Sequence, residues 1–337
     1  MLVHRDINNL PSFHNSVITI GTFDGVHTGH LQIINQLKKE AREINGESVI
    51  ITFHPHPRMV VNTKSISQDQ YEEIKLLNTL QEKIELLENN NIDHLVVVPF
   101  TFDFSEQPAE EYIRGFLVAK FQPHTIIIGY DHRFGKDRGG DYKLLEAYQA
   151  KYNFKVKEIP EHVLHHVKIS STKIRHSLAD GDVETANEAL GYPYFFEGKI
   201  IEGDKLGRQL GYPTANIDVT DKSKLIPGDG VYAVEVSMHK DENTLNNIAH
   251  RTSKIVHHLG MMNIGFRPTV GGTKKVIEVN LFNFDKDIYN NLIRVYVKNH
   301  LRSEKKFNSL AELKNQLAED MIKALELLKN VNYKTLP

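Results

Sequence analysis

The strongest chemical signal in the chain is the segment GTFDGVHTGH, residues 21–30, which places two histidines among three glycines. It follows a short β-branched run and opens an amphipathic stretch, so we expect a loop between a strand and the N-terminus of a helix. Free N–H groups at such a terminus attract phosphate, and glycines let a backbone approach closely. His27 and His30 can hydrogen-bond a triphosphate and stabilise charge on the transferring phosphate. Because neither the dinucleotide-binding glycine pattern nor the P-loop lysine pattern is present, the segment predicts a phosphate site of another class.

Three more polar segments of the first half suit the same kind of ligand. ISSTKIR, residues 169–175, has three hydroxyls, a Lys and an Arg at the start of a helical stretch, which fits phosphate binding or simply an N-cap with a basic first turn. GYDHRFG, residues 129–135, and FHPHPR, residues 53–58, each follow a predicted strand, where a parallel sheet binds its ligand. The glycines and hydroxyls favour an anion over a metal cluster of four histidines: His27, His30, His54 and His56.

The second half carries a different set of signals. GDKLGRQLGYPTAN, residues 203–216, has glycines and basic residues that could wrap a polyphosphate, or it is a long hairpin loop. Thr214 and Asn216 offer neutral oxygens, and Mg²⁺ takes few protein oxygens and completes its shell with phosphates and water. NIGFRPT, residues 263–269, is predicted to be a second polar loop between strands. Glu278 lies in a strand-like run, and alternation alone favours the solvent face over a functional centre.

Residues 239–258 form a polar stretch with four histidines. We interpret it as a solvated hairpin insertion. A metal site is the alternative, because imidazole suits zinc or nickel, but no carboxylates stand at regular spacing beside the histidines.

Two patterns of elements must position these residues. In the first half, β-branched runs at residues 17–20, 49–53, 95–98 and 125–129 alternate with amphipathic stretches. Such alternation predicts a parallel sheet with helices on its faces, which binds ligands at the carboxyl ends of its strands. The helical spacing is carried by two sets of apolar residues: Leu31, Ile34, Leu37, Ala41 and Ile44, then Ile74, Leu77, Leu80, Ile84 and Leu87.

The second half has strand-like runs without helices between them, which predicts an antiparallel barrel or sandwich. These runs are residues 195–201, 231–236, 255–259, 276–284 and 292–297. One amphipathic helix, from Leu310 to Leu328, closes the chain. We place the boundary after Asp180-Gly181-Asp182, giving domains of residues 1–182 and 183–337.

Composition excludes several classes of protein. The chain has 337 residues, of which 40% are hydrophobic and 25% charged, as in ordinary globular domains rather than a disordered chain. A net charge of -2 shows no basic surplus for nucleic acid. The absence of cysteine excludes disulfides, thiolate zinc sites and a Cys nucleophile. The start lacks a signal-peptide core and no apolar run reaches a membrane span, so we expect a cytoplasmic protein without membrane or nucleic-acid partners.

Taken in order, these segments resemble the bifunctional riboflavin kinase/FMN adenylyltransferase family, the bacterial FAD synthetases. The resemblance covers nearly the whole chain. It implies an N-terminal Rossmann-like nucleotidyltransferase domain that adenylates FMN with release of pyrophosphate, and a C-terminal antiparallel β-barrel kinase domain that phosphorylates riboflavin. It is carried by FDGVHTGH, FHPHPR, GYDHRFG, ISSTKIR, GRQLGYPTANI, NIGFRPTVGG, EVNLFNF and LRSEKKF.

The resemblance also implies roles for individual residues. Glu278 becomes the base for the ribityl hydroxyl, with His27, His30 and Arg175 as the other catalytic residues. Thr214 and Asn216 become the ligands of Mg²⁺-ATP. The flavin is assigned to His56 and Phe134, and to Arg267 and Arg302 in loops. ATP contacts are assigned to Gly21, Phe23, Asp24, His27, Gly29, His30, Asp131, Ser170, Ser171, Thr172, Arg175, Gly203, Gly207, Arg208, Gly211, Pro213, Thr214 and Asn216.

Three departures accompany the resemblance. His132 stands where an aromatic, often Phe, is usual, Asn280 replaces a more usual His, and the stretch 239–258 is longer than the family's connection. None removes a catalytic role. The rivals are an adenylyl- or cytidylyltransferase for another cofactor, which has no reason to carry the second half, and a flavin carrier, which has no need of these catalytic residues. The expected partners are riboflavin, FMN and ATP, with the oligomeric state undetermined.

Overall fold

The chain divides into two compact units, one ending at Ser171 and one beginning at Thr172. This computed structural model describes residues 1–65, 74–159, 169–203, 207, 210–238, 256–269 and 272–329. The domain boundary after residue 182 stays a prediction of the sequence.

The first unit is built on a six-stranded parallel sheet with strand order β1-β4-β3-β2-β5-β6. All five strand pairings are parallel, which confirms the predicted sheet. The four central strands were predicted, whereas β1 and β6 at the two edges were not. The strands are β1 (Leu2–His4), β2 (Val17–Ile20), β3 (Ser48–His54), β4 (His94–Pro99), β5 (Thr125–Gly129) and β6 (Lys155–Ile159).

Apart from the link between β1 and β2, the connections between these strands contain helices. The core packs apolar sheet residues such as Ile18 and Val49 against Phe116 and Leu117 of a π-helical segment, Tyr112–Val118. The helices are α1 (Thr28–Glu43), α2 (Pro57–Ser65), α3 (Leu80–Glu88), α4 (Phe102–Ser105), α5 (Ala109–Glu111), α6 (Ala119–Phe121) and α7 (Tyr142–Tyr152), with a short 3₁₀ turn at Lys136–Arg138.

The second predicted helix is shorter than its apolar spacing indicated. The pattern began at Ile74, but α3 begins at Leu80 after the N-cap Thr79, whose side chain forms a capping box with Glu82. The N–H groups of Leu77 and Asn78 donate instead to the carboxylate of Asp24, so the segment before Thr79 is not helical.

The second unit contains a closed six-stranded antiparallel barrel with order β10-β11-β8-β7-β12-β9, which resolves the predicted choice between barrel and sandwich. Two short helices, α8 (Ser171–Ala179) and α9 (Val183–Leu190), precede it. The strands are β7 (Tyr194–Ile201), β8 (Ala215–Asp218), β9 (Gly230–Met238), β10 (Val256–Thr269), β11 (Gly272–Leu281) and β12 (Leu292–Arg302).

The prediction of a loop at residues 263–269 is wrong. Those residues continue β10, which pairs with β11 from Gly260 opposite Leu281 to Thr269 opposite Gly272. A polar strand remains a strand here because its backbone groups are hydrogen-bonded to the neighbouring strand. Strand β8 likewise lies at the end of a segment whose composition is typical of a loop.

The predicted closing helix is confirmed as α10 (Leu310–Leu328). Its Ala324 and Leu328 pack with Val231 and Ala233 of β9 and Met261 of β10 on the outer face of the barrel. Within the described residues, no helix has the length and apolar character needed to cross a membrane.

Candidate active sites

The two-histidine loop, residues 21–30, follows β2 in the middle of the sheet and leads into α1, as predicted. His27 is the N-cap of α1, and its Nδ1 accepts a hydrogen bond from the N–H of His30 at 3.3 Å. The two imidazole rings stack with centroids 3.7 Å apart and an interplanar angle of 15°. Local capping therefore sets the two histidines side by side at a helix N-terminus, where anions bind favourably.

This loop adopts an uncommon backbone conformation. Phe23, Gly25 and Val26 have positive φ angles of 47°, 89° and 37°. A positive φ is uncommon for any residue with a Cβ and is a genuine outlier for a β-branched one. Such conformations persist only where the surroundings enforce them, and the side chains of Phe23 and Val26 are both buried.

Contacts from three other segments hold the loop. The buried Asp24 accepts hydrogen bonds from the N–H groups of Leu77 and Asn78 through Oδ1, at 3.0 and 3.3 Å. The Ser171 hydroxyl donates to the carbonyl of Asp24 at 2.9 Å, so this serine contacts the loop. Lys83 Nζ donates to the carbonyl of Thr22 at 2.7 Å.

The electrostatics of the loop favour a neutral His30. Its Nδ1 is buried and has no hydrogen-bond partner among the described residues. Burial, together with the neighbouring His27 and Lys83, holds the pKa of His30 well below its usual value. His30 is therefore uncharged near neutral pH in the free protein.

The same edge of the sheet gathers other predicted residues, because β3, β2 and β5 are neighbours in a parallel sheet. His56 follows β3, is buried, and accepts a hydrogen bond from the N–H of Arg58. Asp131 follows β5 and is exposed. Phe134 is buried and stacks on Tyr112 with ring centroids 5.1 Å apart.

The remaining predicted residues of this group are placed as follows. The N–H of Gly21 donates to the carbonyl of Ile51, and a Cβ on Gly29 would lie 3.2 Å from the ring of His27. Ser170 is exposed just before α8, and Thr172 and Arg175 lie on α8.

His132, the departure beside Phe134, predicts a pH dependence of stability. Its Nε2 is buried without a hydrogen-bond partner among the described residues, and burial lowers the pKa of His132 to about 4. The unfolded chain therefore binds more protons than the folded one below the ordinary pKa of about 6.5. The contribution of His132 is fully present above that pH and is lost as the pH falls towards about 4.

Between about pH 7 and pH 4.5, the free energy of unfolding of the parent should fall. In His132→Phe the fall should be smaller by roughly 1–3 kcal/mol, because the titrating imidazole is gone. Chemical denaturation at both pH values checks this difference. An equal loss in the two proteins would show that His132 titrates normally.

In the second unit, Glu278 lies between two amides on the barrel. It is directly opposite Asn216 of β8 on one side and Asn263 of β10 on the other. Directly opposite residues point to the same face, with Cβ atoms roughly 4.5–5.5 Å apart. This face is the outer one, because Asn263 is opposite Val231, which packs under α10. Glu278 is half-buried and Asn216 is buried, so the structure brings two predicted residues together.

Glycines bring backbone close to the predicted metal ligands. A Cβ on Gly203 would collide with the side-chain amide of Asn216, and one on Gly207 would collide with the carbonyl oxygen of Tyr212 and lie 3.2 Å from Thr214 Oγ1. Gly211 has a φ of 85°, a conformation that favours glycine. These three glycines therefore have a steric reason to be glycine. Arg208 lies outside the described residues.

Asn280, another departure, has a structural role on the same face. Its side-chain amide donates to the carbonyl of Pro213 at 2.7 Å, and the residue is buried. Asn280 thus fixes the turn that leads into Thr214.

The resemblance placed the two arginines assigned to the flavin in loops. In the structure both lie in strands. Arg267 belongs to β10, and Arg302 is the last residue of β12. Arg302 donates to both carboxylate oxygens of Asp320 on α10, from Nε at 3.0 Å and from Nη2 at 2.8 Å. Barrel pairing extends both strands beyond their apolar stretches.

The His-rich stretch is only partly described. Residues 239–255 lie outside the described residues, whereas His257 and His258 belong to β10. His257 Nδ1 lies 2.6 Å from Oε1 of Glu235, which also has Lys298 within 3.2 Å of its Oε2. No cluster of three or more metal-ligating side chains is found within the described part of the chain.

Sequence reasoning missed Lys83 and Asp320, both of which contact the candidate sites. Each lies on an amphipathic helix at a polar position, where a charged residue normally faces solvent. Both are buried. Their spacing contains no signal that distinguishes them from surface residues.

The first unit has paired histidines at a helix N-terminus beside a parallel sheet, and the second has a carboxylate beside polar loops on a barrel. Together these features indicate a two-domain enzyme that acts on phosphate groups. Comparison with protein-family models matches residues 10–173 to FAD synthetase and residues 190–328 to riboflavin kinase. The chain belongs to the bifunctional riboflavin kinase/FMN adenylyltransferase family, as the resemblance predicted.

Individual relatives match this chain over nearly their whole length. Bifunctional riboflavin kinase/FMN adenylyltransferase from Buchnera aphidicola subsp. Schizaphis graminum is 37% identical over 95% of this chain and 97% of its own. The Escherichia coli (strain K12) protein of the same name is 34% identical, covering 97% of both chains. The chain therefore uses ATP to phosphorylate riboflavin to FMN and then to adenylate FMN to FAD.

A solved structure also matches both units. The crystal structure described as a macrolide-efflux protein from Streptococcus pneumoniae is 27% identical, with a TM-score of 0.80, and the match covers 98% of this chain and 99% of that one. The description as an efflux protein applies to that structure and is not carried over to this chain. The family models and the named relatives decide the activity of this chain.

Proposed function

We propose that the two-histidine loop is the site of FMN adenylation. His27 and His30 contact the triphosphate of ATP, with Gly21, Phe23, Asp24 and Gly29 forming the loop around it. The observation that carries this proposal is the stacked histidine pair at the N-terminus of α1, with a buried, unpartnered Nδ1 on His30 among the described residues.

The reaction at this loop needs no general base. An oxygen of the FMN phosphate attacks the α-phosphorus of ATP, the bond to the β-phosphate oxygen breaks, and pyrophosphate leaves. The nucleophile is already ionised, so catalysis consists of positioning and charge stabilisation. Ser170, Ser171, Thr172 and Arg175 are proposed to bind phosphate, Asp131 to contact the nucleotide, and His56 and Phe134 to contact the flavin.

The second proposal assigns riboflavin phosphorylation to the outer face of the barrel. Glu278 accepts the proton of the riboflavin 5′-hydroxyl as that oxygen attacks the γ-phosphorus, and ADP leaves. Asn216 lies directly opposite Glu278 in the strand ladder, which supports the placement of base and nucleotide side by side. Gly203, Gly207, Arg208, Gly211 and Pro213 are proposed to contact ATP, and Arg267 and Arg302 the flavin.

Mg²⁺ belongs to this proposal. The hydroxyl of Thr214 and the amide oxygen of Asn216 are neutral oxygen ligands that lie close to the backbone of Gly207 and Gly203. They fit a cation that takes most of its ligands from phosphates and water. Thr214 and Asn216 would hold the ion, which when bound offsets negative charge on the phosphates. A cytoplasmic location is proposed for the enzyme as a whole.

The test is a product assay on the full chain. Riboflavin with Mg-ATP is expected to yield FMN and then FAD, and FMN with Mg-ATP to yield FAD and pyrophosphate, with chromatography separating the products. Removal of Mg²⁺ by a chelator should abolish FMN formation from riboflavin. Tight flavin binding without conversion would support the carrier instead, and conversion undiminished by the chelator would contradict the metal assignment.

A further inference from the structure

Lys83 is a buried lysine that points at the two-histidine loop. It lies in the first turn of α3, and its Nζ donates to the carbonyl of Thr22 at 2.7 Å. The hydroxyl of Thr52 on β3 donates to the same carbonyl at 3.2 Å and lies 3.5 Å from Nζ. Two donors from two different elements therefore converge on one carbonyl, immediately before the positive-φ residue Phe23.

The charge of Lys83 is retained despite burial. Burial lowers the pKa of Lys83 to about 8, while the nearby Asp24 acts in the opposite direction. The group is still mostly protonated at neutral pH. A buried ammonium is costly unless it makes strong hydrogen bonds, and lysine is almost never fully buried unless it is paired. A neutral residue with the same stem would fill the space at lower cost, so packing alone does not explain the ammonium.

The position of that charge supplies the reason. Lys83 secures the first part of the loop through Thr22, and Asp24 secures the next part through Leu77 and Asn78, just ahead of α3. The strained residue Phe23 lies between the two hydrogen-bonded residues Thr22 and Asp24, and the strained Val26 follows two residues later. The same ammonium helps to keep His30 neutral. Helix α3 and the residues just before it thus hold the first half of the loop, while the histidines lie in its second half.

We propose that Lys83 is a positioning residue for FMN adenylation: its bond to the Thr22 carbonyl holds the strained loop in the conformation that presents His27 and His30 to the triphosphate. This inference rests on the proposal that the loop binds the phosphates of ATP. Lys83 itself does not touch substrate and acts through the loop.

The experiment compares Lys83→Met with a matched lysine in the same unit. Methionine keeps the apolar stem and removes the ammonium. Lys38→Met is the control, because Lys38 Nζ also donates to a backbone carbonyl, that of Asn90, but away from the loop. A hydrogen bond to a charged group predicts a fall in adenylation kcat of roughly 10- to 100-fold for Lys83→Met. Lys38→Met should adenylate at the parent rate, and both variants should phosphorylate riboflavin normally.

A second readout separates positioning from simple destabilisation. In Lys83→Met, the pKa of His30 should rise, because a nearby positive charge is gone, and histidine NMR of the free protein measures it. Thermal unfolding shows whether the variant is folded. If Lys83→Met is not folded, Lys83→Gln takes its place, and its shorter side chain and lost charge should still lower adenylation kcat at least roughly 5-fold.

The outcomes separate this inference from the one on which it rests. A folded Lys83 variant that adenylates FMN at close to the parent rate overturns the role of Lys83. If His30→Ala, assayed in parallel, also keeps full adenylation, the phosphate site itself is wrongly placed. Loss in His30→Ala with none in Lys83→Met overturns the positioning role alone.

Discussion

Glu278→Gln should lower the kcat for riboflavin phosphorylation by roughly 10²–10⁴-fold, the usual contribution of a general base. Glutamine keeps the size of the side chain and some of its hydrogen bonding, but it cannot take up the proton of the ribityl hydroxyl. Riboflavin and ATP affinity should change little, because the proposed role is in the transition state. FMN adenylation should be unaffected, since the two-histidine loop belongs to the other unit.

The measurement is kcat for FMN formation, with riboflavin binding followed separately by fluorescence. Glu326→Gln is the matched control, because Glu326 is an exposed carboxylate of the same unit on α10. The rival interpretation is that Glu278 merely lies on its strand between Asn216 and Asn263. In that case the variant would phosphorylate riboflavin at nearly the parent rate, and the assignment of the base would have to be withdrawn.

His30→Ala should abolish most FMN adenylation and leave riboflavin phosphorylation intact, so that FMN accumulates from riboflavin and Mg-ATP. Removing one preorganised donor to a developing charge typically costs roughly 10²–10³-fold in kcat. The buried Nδ1 of His30, unpartnered among the described residues, is the specific reason to expect a loss of this size. Chromatography of FMN and FAD over time measures both reactions in one tube.

His14→Ala is the matched control for this variant, since His14 is an exposed histidine of the same unit. It should convert riboflavin to FAD as the parent does. Equal loss of both activities in a folded His30→Ala protein would contradict the separation of the two sites. Full retention of both would make the histidine pair incidental to catalysis.

The central strands and the two-histidine loop could be predicted because local sequence patterns carry them. Strands β2 to β5 are buried on both faces and read as nearly continuous β-branched runs, which is typical of parallel sheets. The loop could be placed because it lies between such a run and an amphipathic helix. The polar segments, taken in their order along the chain, also indicate the family.

The elements that were missed lie where local pattern is weak. Strands β1 and β6 form the edges of the sheet and lack a long apolar run: β1 has no buried residue, and β6 mixes exposed and buried ones. The second half of β10 mixes polar residues with a glycine and a proline, and pairing with β11 continues to its end at Thr269. Arg267 and Arg302 were assigned to loops for the same reason. Hydrophobic periodicity indicates which side of an element is apolar, and it gives no prediction where both sides carry mixed residues.

By itself, the sequence determined the two fold classes, the order of the candidate phosphate segments and the family, because these depend on residue types at short spacing. Only the tertiary structure decided which polar residues are enclosed and what faces them. Alternation favoured the solvent face for Glu278, and the structure puts it on the outer face of the barrel, half-buried between two asparagines that the alternation does not reveal. Lys83 occupies a polar position of α3, whereas the packing of α3 beside β3 and the loop buries its ammonium against Thr22. Such pairings join residues far apart in the chain, and no local pattern encodes what lies opposite a given face.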